Sequence, residues 1–285
     1  SNDYGLEVNK PVGLVRGLIY EGFYTTDDFD YNAATGLYTL KSGVQDVSAN
    51  ITGVVHGVST PTGQNAYPGM AKFQDTDGNG TVDAEDYTII GDMNADFTGG
   101  FSINANYQNW DLGLYFNYSV GNEIYNVNRM ASLMGYKETA VYQNHMRFLK
   151  DAYKIYNIEN GKLVRYNTSE QLNALNADAK YPLCYNENGV VSTLGIESGS
   201  YLRLNTLSLG YTLPGNSSIA HALRISALRF YGTVYNLLTL TKYNGLDPEV
   251  SVNEHINNAT YPTPGLDWGS YPRARSFVLG VNVSF

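Results

Sequence analysis

From Phe101 onward the chain alternates. Phe101, Ile103, Ala105 and Tyr107 share one parity and Ser102, Asn104 and Asn106 the other, a period of two that marks a strand with an apolar and a polar face. The polar pair Gln108-Asn109 predicts a tight turn. Beyond it Leu112, Leu114, Phe116, Tyr118 and Val120 alternate with Asp111, Gly113, Tyr115, Asn117 and Ser119, so the two segments read as a hairpin. The last strand repeats the design, with Phe277, Leu279, Val281, Val283 and Phe285 opposite Ser276, Val278, Gly280, Asn282 and Ser284. Two further strands are less regular. In Tyr201 to Leu213 the apolar parity switches between Leu204 and Leu207, which predicts a bulge. In Ile225 to Thr241 the apolar side carries Leu228, Phe230, Val234, Leu238 and Leu240. Val12 to Tyr24 is apolar on both parities and is read as a sixth strand. The expectation is an all-β chain with strands near 12–24, 97–107, 110–121, 200–213, 225–241 and 272–285.

Alternating strands also build soluble sandwiches, whose inward faces alternate with polar outward faces. Length and chemistry separate the two architectures. Several of these strands run well beyond the usual five or six residues, carry Tyr and Phe near their ends, and present small neutral polar residues on the second face. A transmembrane antiparallel β-barrel requires that combination: tilted strands, an apolar outer band, aromatic girdles and a polar lumen. The connections point the same way, because bacterial barrels join their strands by short periplasmic turns and long extracellular loops. Here short links after Tyr107 and Leu213 take turns with long segments near 25–96, 121–199 and 244–271. A final strand that ends at Phe285 on the periplasmic side places all three long segments outside the cell.

Composition removes several other classes. The 285 residues hold 27 acidic and 18 basic side chains, a formal charge of -9, which disfavours nucleic acid as a partner. No apolar run is long enough for a membrane-spanning helix. The single cysteine, Cys184, cannot form an internal disulfide, and the N-terminus has no basic-then-apolar leader pattern, so the chain is expected to be cytoplasmic, processed or part of something longer. The acidity is local: residues 1–100 carry 14 acids and 4 bases, a balance of -10, whereas the remainder carries 13 acids and 14 bases.

Several segments taken together carry a family resemblance. They are Asp75-Thr76-Asp77-Gly78-Asn79-Gly80-Thr81-Val82-Asp83, then Phe97-Thr98-Gly99-Gly100-Phe101, Tyr201-Leu202-Arg203-Leu204, Leu209-Gly210-Tyr211-Thr212-Leu213-Pro214, the run from Asn236 through Asn244-Gly245-Leu246-Asp247-Pro248-Glu249, and Tyr271-Pro272-Arg273 to Phe285. In this order they resemble the C-terminal part of the SusC/RagA-type TonB-dependent transporters of the Bacteroidetes outer membrane. The resemblance implies the closing strands of a 22-stranded barrel, preceded by a plug domain and a TonB-contacting segment that these residues do not contain. It also implies a SusD-like surface lipoprotein as partner, TonB as the source of force, outer-membrane lipid around the wall, and a bulky oligosaccharide or peptide as cargo. The competing class is a soluble, secreted, calcium-stabilised β-protein such as an adhesin or carbohydrate-binding module.

One stretch has readable site chemistry. Asp75, Asp77, Asn79, Thr81, Asp83 and Asp86 fall at positions 1, 3, 5, 7, 9 and 12 of a calcium-loop pattern, with Gly80 at the turn position. A hard cation needs six or more converging oxygens, which alternate side chains of a tight loop supply together with the Thr81 carbonyl. Asp86 stands where such loops usually carry the longer Glu. A turn held only by its own side-chain to backbone bonds needs no metal, but the four carboxylates at ligand positions of this twelve-residue loop repel one another until a cation joins them. The expected role of calcium is structural.

No enzyme is expected. His56, His145, His221 and His255 are scattered without metal-ligand spacing, and no nucleophile elbow accompanies the serines. Helical spacing over Glu138 to Tyr156 predicts a loop helix. Tyr107, Trp110, Tyr118 and Tyr211 read as interfacial belt residues, whereas Tyr185, Tyr243, Tyr261, Trp268 and Tyr271 lie in segments where rings could stack on sugars or meet a partner.

Overall fold

The computed structural model describes residues 9–51, 58–133, 146–184, 190–250, 254–256, 259–261 and 264–285. The chain divides into two compact units.

One unit, Met93–Ile124 with Glu197–Phe285, contains a wall of five strands: β1 (Phe97–Tyr107), β2 (Trp110–Val120), β3 (Tyr201–Pro214), β4 (Ala227–Thr241) and β5 (Ser276–Ser284). Each pairs antiparallel with its sequence neighbour, giving a meander in the order β5-β4-β3-β2-β1. Gln108, at φ 52, makes the two-residue turn between β1 and β2. The register lines up the apolar parities. Tyr107, Trp110, Tyr211, Phe230 and Val281 form one row; Ala105, Leu112, Leu209, Gly232 and Leu279 the next; Ile103, Leu114, Leu207, Val234 and Phe277 a third. The opposite face carries rows such as Asn104, Gly113, Ser208, Thr233 and Val278.

The parity switch in β3 is a bulge, as its sequence predicts. Consecutive Tyr115 and Phe116 oppose Thr206 and Leu204, which leaves Asn205 as the extra residue. In β4 the same shift spans Tyr235 to Leu238 and places Asn236 in the left-handed region, at φ 53. Leu204 and Leu238 therefore return to the apolar face on the far side of the irregularity.

The expected sixth strand does not join this wall. Residues 12–24 form two short strands, Leu14–Gly17 and Tyr20–Phe23, which pair with Thr88–Asp92 and Ala71–Phe73 in the second unit, Ser1–Asp92 with Tyr125–Ile196. Both parities are apolar because both sides are packed: Leu14, Val15 and Leu18 are buried, and a side chain at Gly17 would collide with the Val191 carbonyl.

Two of the three long segments expected as loops, near 25–96 and 121–199, supply most of this second unit, and it has a core; the third, near 244–271, belongs to the unit of the wall. Tyr24, Phe29, Tyr38, Val47, Ala66, Met70, Phe73, Val82, Tyr153 and Leu172 pack into one buried cluster. Its strands are short. Phe29–Asn32 pairs with Leu37–Leu40, Tyr156–Glu159 with Lys162–Arg165, and Asp46–Val47 runs parallel to Thr81–Val82. Thr168 caps the helix Ser169–Leu175, which buries Leu172. The helix predicted over Glu138 to Tyr156 falls partly outside the described residues, and Arg147–Asp151 is a 3-10 turn.

Candidate functional site

The second half of the acidic loop is held by backbone pairing to Asp46–Val47. Gly80 accepts from the Asp46 amide through its carbonyl, and Thr81–Val82 pairs with Asp46–Val47. Asp46 in turn accepts from the amides of Val47, Asn65 and Ala66, so the strand that carries the loop is itself anchored.

Within the loop the carboxylate oxygens of Asp75, Asp77 and Asp86 lie within 4.8 Å of one another. Asp75 accepts from the Gly78 and Gly80 amides at 2.8 and 2.7 Å, one on each oxygen. The φ of 90° at Gly80 brings its N–H back to position 1 of the loop. Asp77 accepts from the Asn79 amide. A carboxylate offers about four lone-pair sites, so Asp75 and Asp77 retain acceptor capacity toward a cation.

Asp86 is different. It is fully buried, and its Oδ1 accepts from the Thr76 amide at 2.6 Å, the Thr76 hydroxyl at 2.9 Å and the Asp77 amide at 3.4 Å, while Oδ2 accepts from the Asp83 amide at 2.8 Å. Burial pushes its carboxyl up, but these four bonds together outweigh it and hold the pKa below the ordinary Asp value. Asp86 is the hub around which the loop closes.

The remaining predicted ligands are engaged otherwise. The Asn79 side chain accepts from the Thr81 amide and donates to Asp77. Asp83 caps the 3-10 turn Ala84–Asp86 by accepting from the Glu85 amide, and its carboxylate stands outside the convergent group. The donor set thus fits a hard cation through three carboxylates, with the neutral oxygens of the pattern close in sequence.

The wall carries two chemistries. Its apolar face leaves large side chains open, with Phe277 and Leu279 at 70% and 89% exposure. Aromatic rings mark both ends: Trp110 lies 4.9 Å from Tyr211 near the tight turn, and Phe97 lies 6.4 Å from Tyr118 at the other end. Eight residues of strand separate Trp110 from Tyr118, about 27 Å, which at the usual tilt of barrel strands corresponds to a height of roughly 20 Å, near that of the apolar band of an outer-membrane barrel.

On the polar face Arg229 makes a bidentate pair with Asp111, at 3.1 and 2.6 Å. Near the Tyr201 end Arg203 is almost fully buried and reaches Asp247 at 2.5 Å and Glu249 at 3.1 Å, and Glu249 also pairs with Arg273. The Arg273 amide donates to Asp247. These contacts bind the segment after β4 to the wall. Burial pushes the Asp247 carboxyl up, yet the Glu249 amide, Arg203 and the Arg273 amide keep it below its usual value. Sequence reading missed this cluster, although Arg203 alternating with leucines was its signal.

Tyr243, grouped with the rings that could stack on sugars or meet a partner, is buried instead and donates to Asp267. Burial and the Asp267 carboxylate both raise its pKa. Trp268 and Tyr271 are exposed, whereas Tyr185 and the Tyr261 side chain lie outside the described residues, as do His56 and His145.

No protein-family model matches the chain. It is 32% identical, over 98% of its length, to TonB-dependent receptor P3 of Formosa agariphila, and 26% identical over 91% to TonB-dependent receptor SusC of Bacteroides thetaiotaomicron. The alignments cover 23% and 22% of those relatives, so the chain spans less than a quarter of their length. Among solved structures it is similar to the RagAB peptide transporter, with a TM-score of 0.57 at 21% identity over 98% of this chain and 23% of that one. The RagAB peptide importer in the closed-closed state gives 0.55 at 21% over 99% of this chain and 24% of that one. At that identity the likeness is one of fold. A sequence relationship that runs along nearly the whole chain places this protein in the family of TonB-dependent receptors, to which its relative SusC also belongs, and it shares the fold of the RagAB neighbours.

Proposed function

We propose that this chain forms part of the wall and outer segments of an energised nutrient importer in the outer membrane. The observation that carries the reading is the five-strand meander, whose register stacks apolar residues on one face and small polar residues on the other. In the full-length protein such a face meets lipid and the other lines a lumen, within a closed barrel of 22 strands. The two-residue turn at Gln108-Asn109 and the terminal Phe285 lie on the periplasmic side, and the acidic loop lies outside. A SusD-like lipoprotein delivers cargo at the outer mouth, and TonB supplies force through a plug. The cargo is a bulky oligosaccharide or peptide; the chain's own residues favour neither.

The acidic loop is read as a calcium site with a structural role. Asp75, Asp77 and Asp86 supply the carboxylates, Asn79 and Thr81 neutral oxygens, and Asp83 the outer position that such loops often fill through water. Bound calcium would relieve repulsion among the three carboxylates. Catalysis has no part in this reading.

Orientation is tested in intact cells expressing the full-length transporter with Cys184→Ser. A membrane-impermeant maleimide is expected to label Glu85→Cys and leave Gln108→Cys unlabelled until the outer membrane is opened. Labelling of Gln108→Cys in intact cells overturns the orientation, and uptake that survives deletion of the full-length gene overturns the importer.

A further inference from the structure

The apolar face of the wall is not uniformly filled. Its second row contains the two small residues Ala105 and Gly232, and Gly232 is flanked by Leu209 and Leu279 across the strands and by Phe230 along β4. The missing side chain leaves an open groove of about 540 Å³, lined by Trp110, Leu209, Tyr211, Phe230, Gly232 and Leu279. Every one of these side chains except that of Gly232 is apolar or an aromatic with an apolar body, and the groove abuts the aromatic row that marks one edge of the band.

Beyond that row, the connection between β3 and β4 is the short helix Ser218–Leu223, with Ile219 and Leu223 at 57% and 60% exposure. It is followed directly by exposed Arg224, with exposed His221 one turn earlier. An apolar groove that ends at an aromatic boundary, with a cation just past it, has the layout of one amphiphile: a tail for the groove and an anionic head for the arginine.

We propose that the Gly232 groove seats one acyl chain of an anionic glycerophospholipid whose phosphate lies against Arg224. This rests on the reading that the wall is embedded in a membrane, with its short turns on the periplasmic side. The arrangement is specific and not a general property of the face, because the next row is filled by Ile103, Leu114, Leu207, Val234 and Phe277. Gly232 can also be filled without breaking the sheet. A Cβ there meets only the mobile end of Leu279 at 3.3 Å and the Val278 carbonyl at 4.0 Å.

The test uses the full-length transporter in nanodiscs that contain phosphatidylglycerol with a photoreactive group in the acyl chain. After irradiation, label is mapped by peptide mass spectrometry on Leu207–Leu213 and Leu228–Val234, and on Ile103–Tyr107 as reference. Gly232→Leu is expected to reduce label on the first two segments about fourfold, the equivalent of roughly one methylene's burial, and to leave the reference unchanged. Gly232→Ala is the milder control for folding. Arg224→Asn, which tolerates the left-handed φ of 54° at this position, is expected to abolish the preference for phosphatidylglycerol over phosphatidylcholine carrying the same group. Label on all segments that does not respond to Gly232→Leu overturns the groove and spares the membrane wall. Absence of label from every wall strand overturns both.

Discussion

Asp86 shows how one side chain can decide the state of a loop. Its two oxygens satisfy the amides of Thr76, Asp77 and Asp83 and the Thr76 hydroxyl, in a position from which water is excluded. Truncation to Ala strands those donors, at about 1–3 kcal/mol for a buried group left unsatisfied. Amide hydrogen exchange at Thr76, Asp77 and Asp83 is therefore expected to accelerate by a factor of about 5–150 in Asp86→Ala, and unchanged protection would remove Asp86 from its place as hub. The same residue gives the loop a pH dependence. Its folded-state pKa lies below the unfolded Asp value of about 3.9, so its stabilisation is fully present above about pH 5 and is lost as pH falls through the folded value, below about pH 4. Exchange measured between pH 6 and pH 3 should show protection falling only at the acid end. Arg203 offers the complementary case of a buried cation. Arg203→Met leaves Asp247 without its guanidinium partner and Glu249 with Arg273 alone, a loss of about 3–5 kcal/mol for breaking a buried pair. Limited proteolysis between Asn244 and Glu249 is then expected to be faster than in the parent protein.

The wall strands differ from the short strands of the other unit in what their sequence can say about them. β1 alternates over its whole length because each face meets one environment, and neighbouring residues are therefore opposite in kind. Ile103 and Asn104 are both exposed and adjacent, yet Lys should behave differently at the two. Ile103→Lys places a charge in the apolar band and is expected to lower folding stability of the full-length barrel in lipid vesicles by about 2–4 kcal/mol, whereas Asn104→Lys on the polar face should lie near the parent. Equal penalties would mean that the two faces share a solvent. The bulge was legible for the same reason, since Leu204 and Leu207 break a parity that the rest of β3 keeps. Residues 12–24 defeated the method because Leu14, Val15 and Leu18 are packed from both sides and their partners lie at Asp92 and Val191, far along the chain. Tyr243 was misread for a related reason: its partner Asp267 is 24 residues away, and nothing local distinguishes a ring that is buried from one that is offered to a ligand. The calcium pattern names Asp75, Asp77 and Asp86, whose carboxylates the structure brings within 4.8 Å of one another, but spacing alone could not show that Asp86 also accepts from the loop's own amides and from the Thr76 hydroxyl.

Two units with different sources of stability should fail under different conditions. The wall depends on strand pairing and on the medium that covers its apolar face, which neither acid nor chelator removes. The other unit is built from strands of only two to five residues, so its stability comes from the cluster around Tyr24, Tyr38 and Phe73 and from whatever holds the acidic loop shut. Three carboxylates within 4.8 Å repel one another, and backbone donors relieve only part of that. If calcium supplies the rest, its removal raises the free energy of the closed loop without touching the wall. In the full-length transporter a calcium chelator is therefore expected to expose a protease site between Asp75 and Asp86, and calcium added back should protect it where equimolar magnesium protects less, because magnesium surrenders its water reluctantly to a loop of this kind. Across the same titration the heat resistance of the barrel should not move. Proteolysis that is indifferent to the chelator would leave the loop held by its hydrogen bonds alone, with Asp86 sufficient to close it. A barrel that melts together with the loop would show that the two units are energetically one.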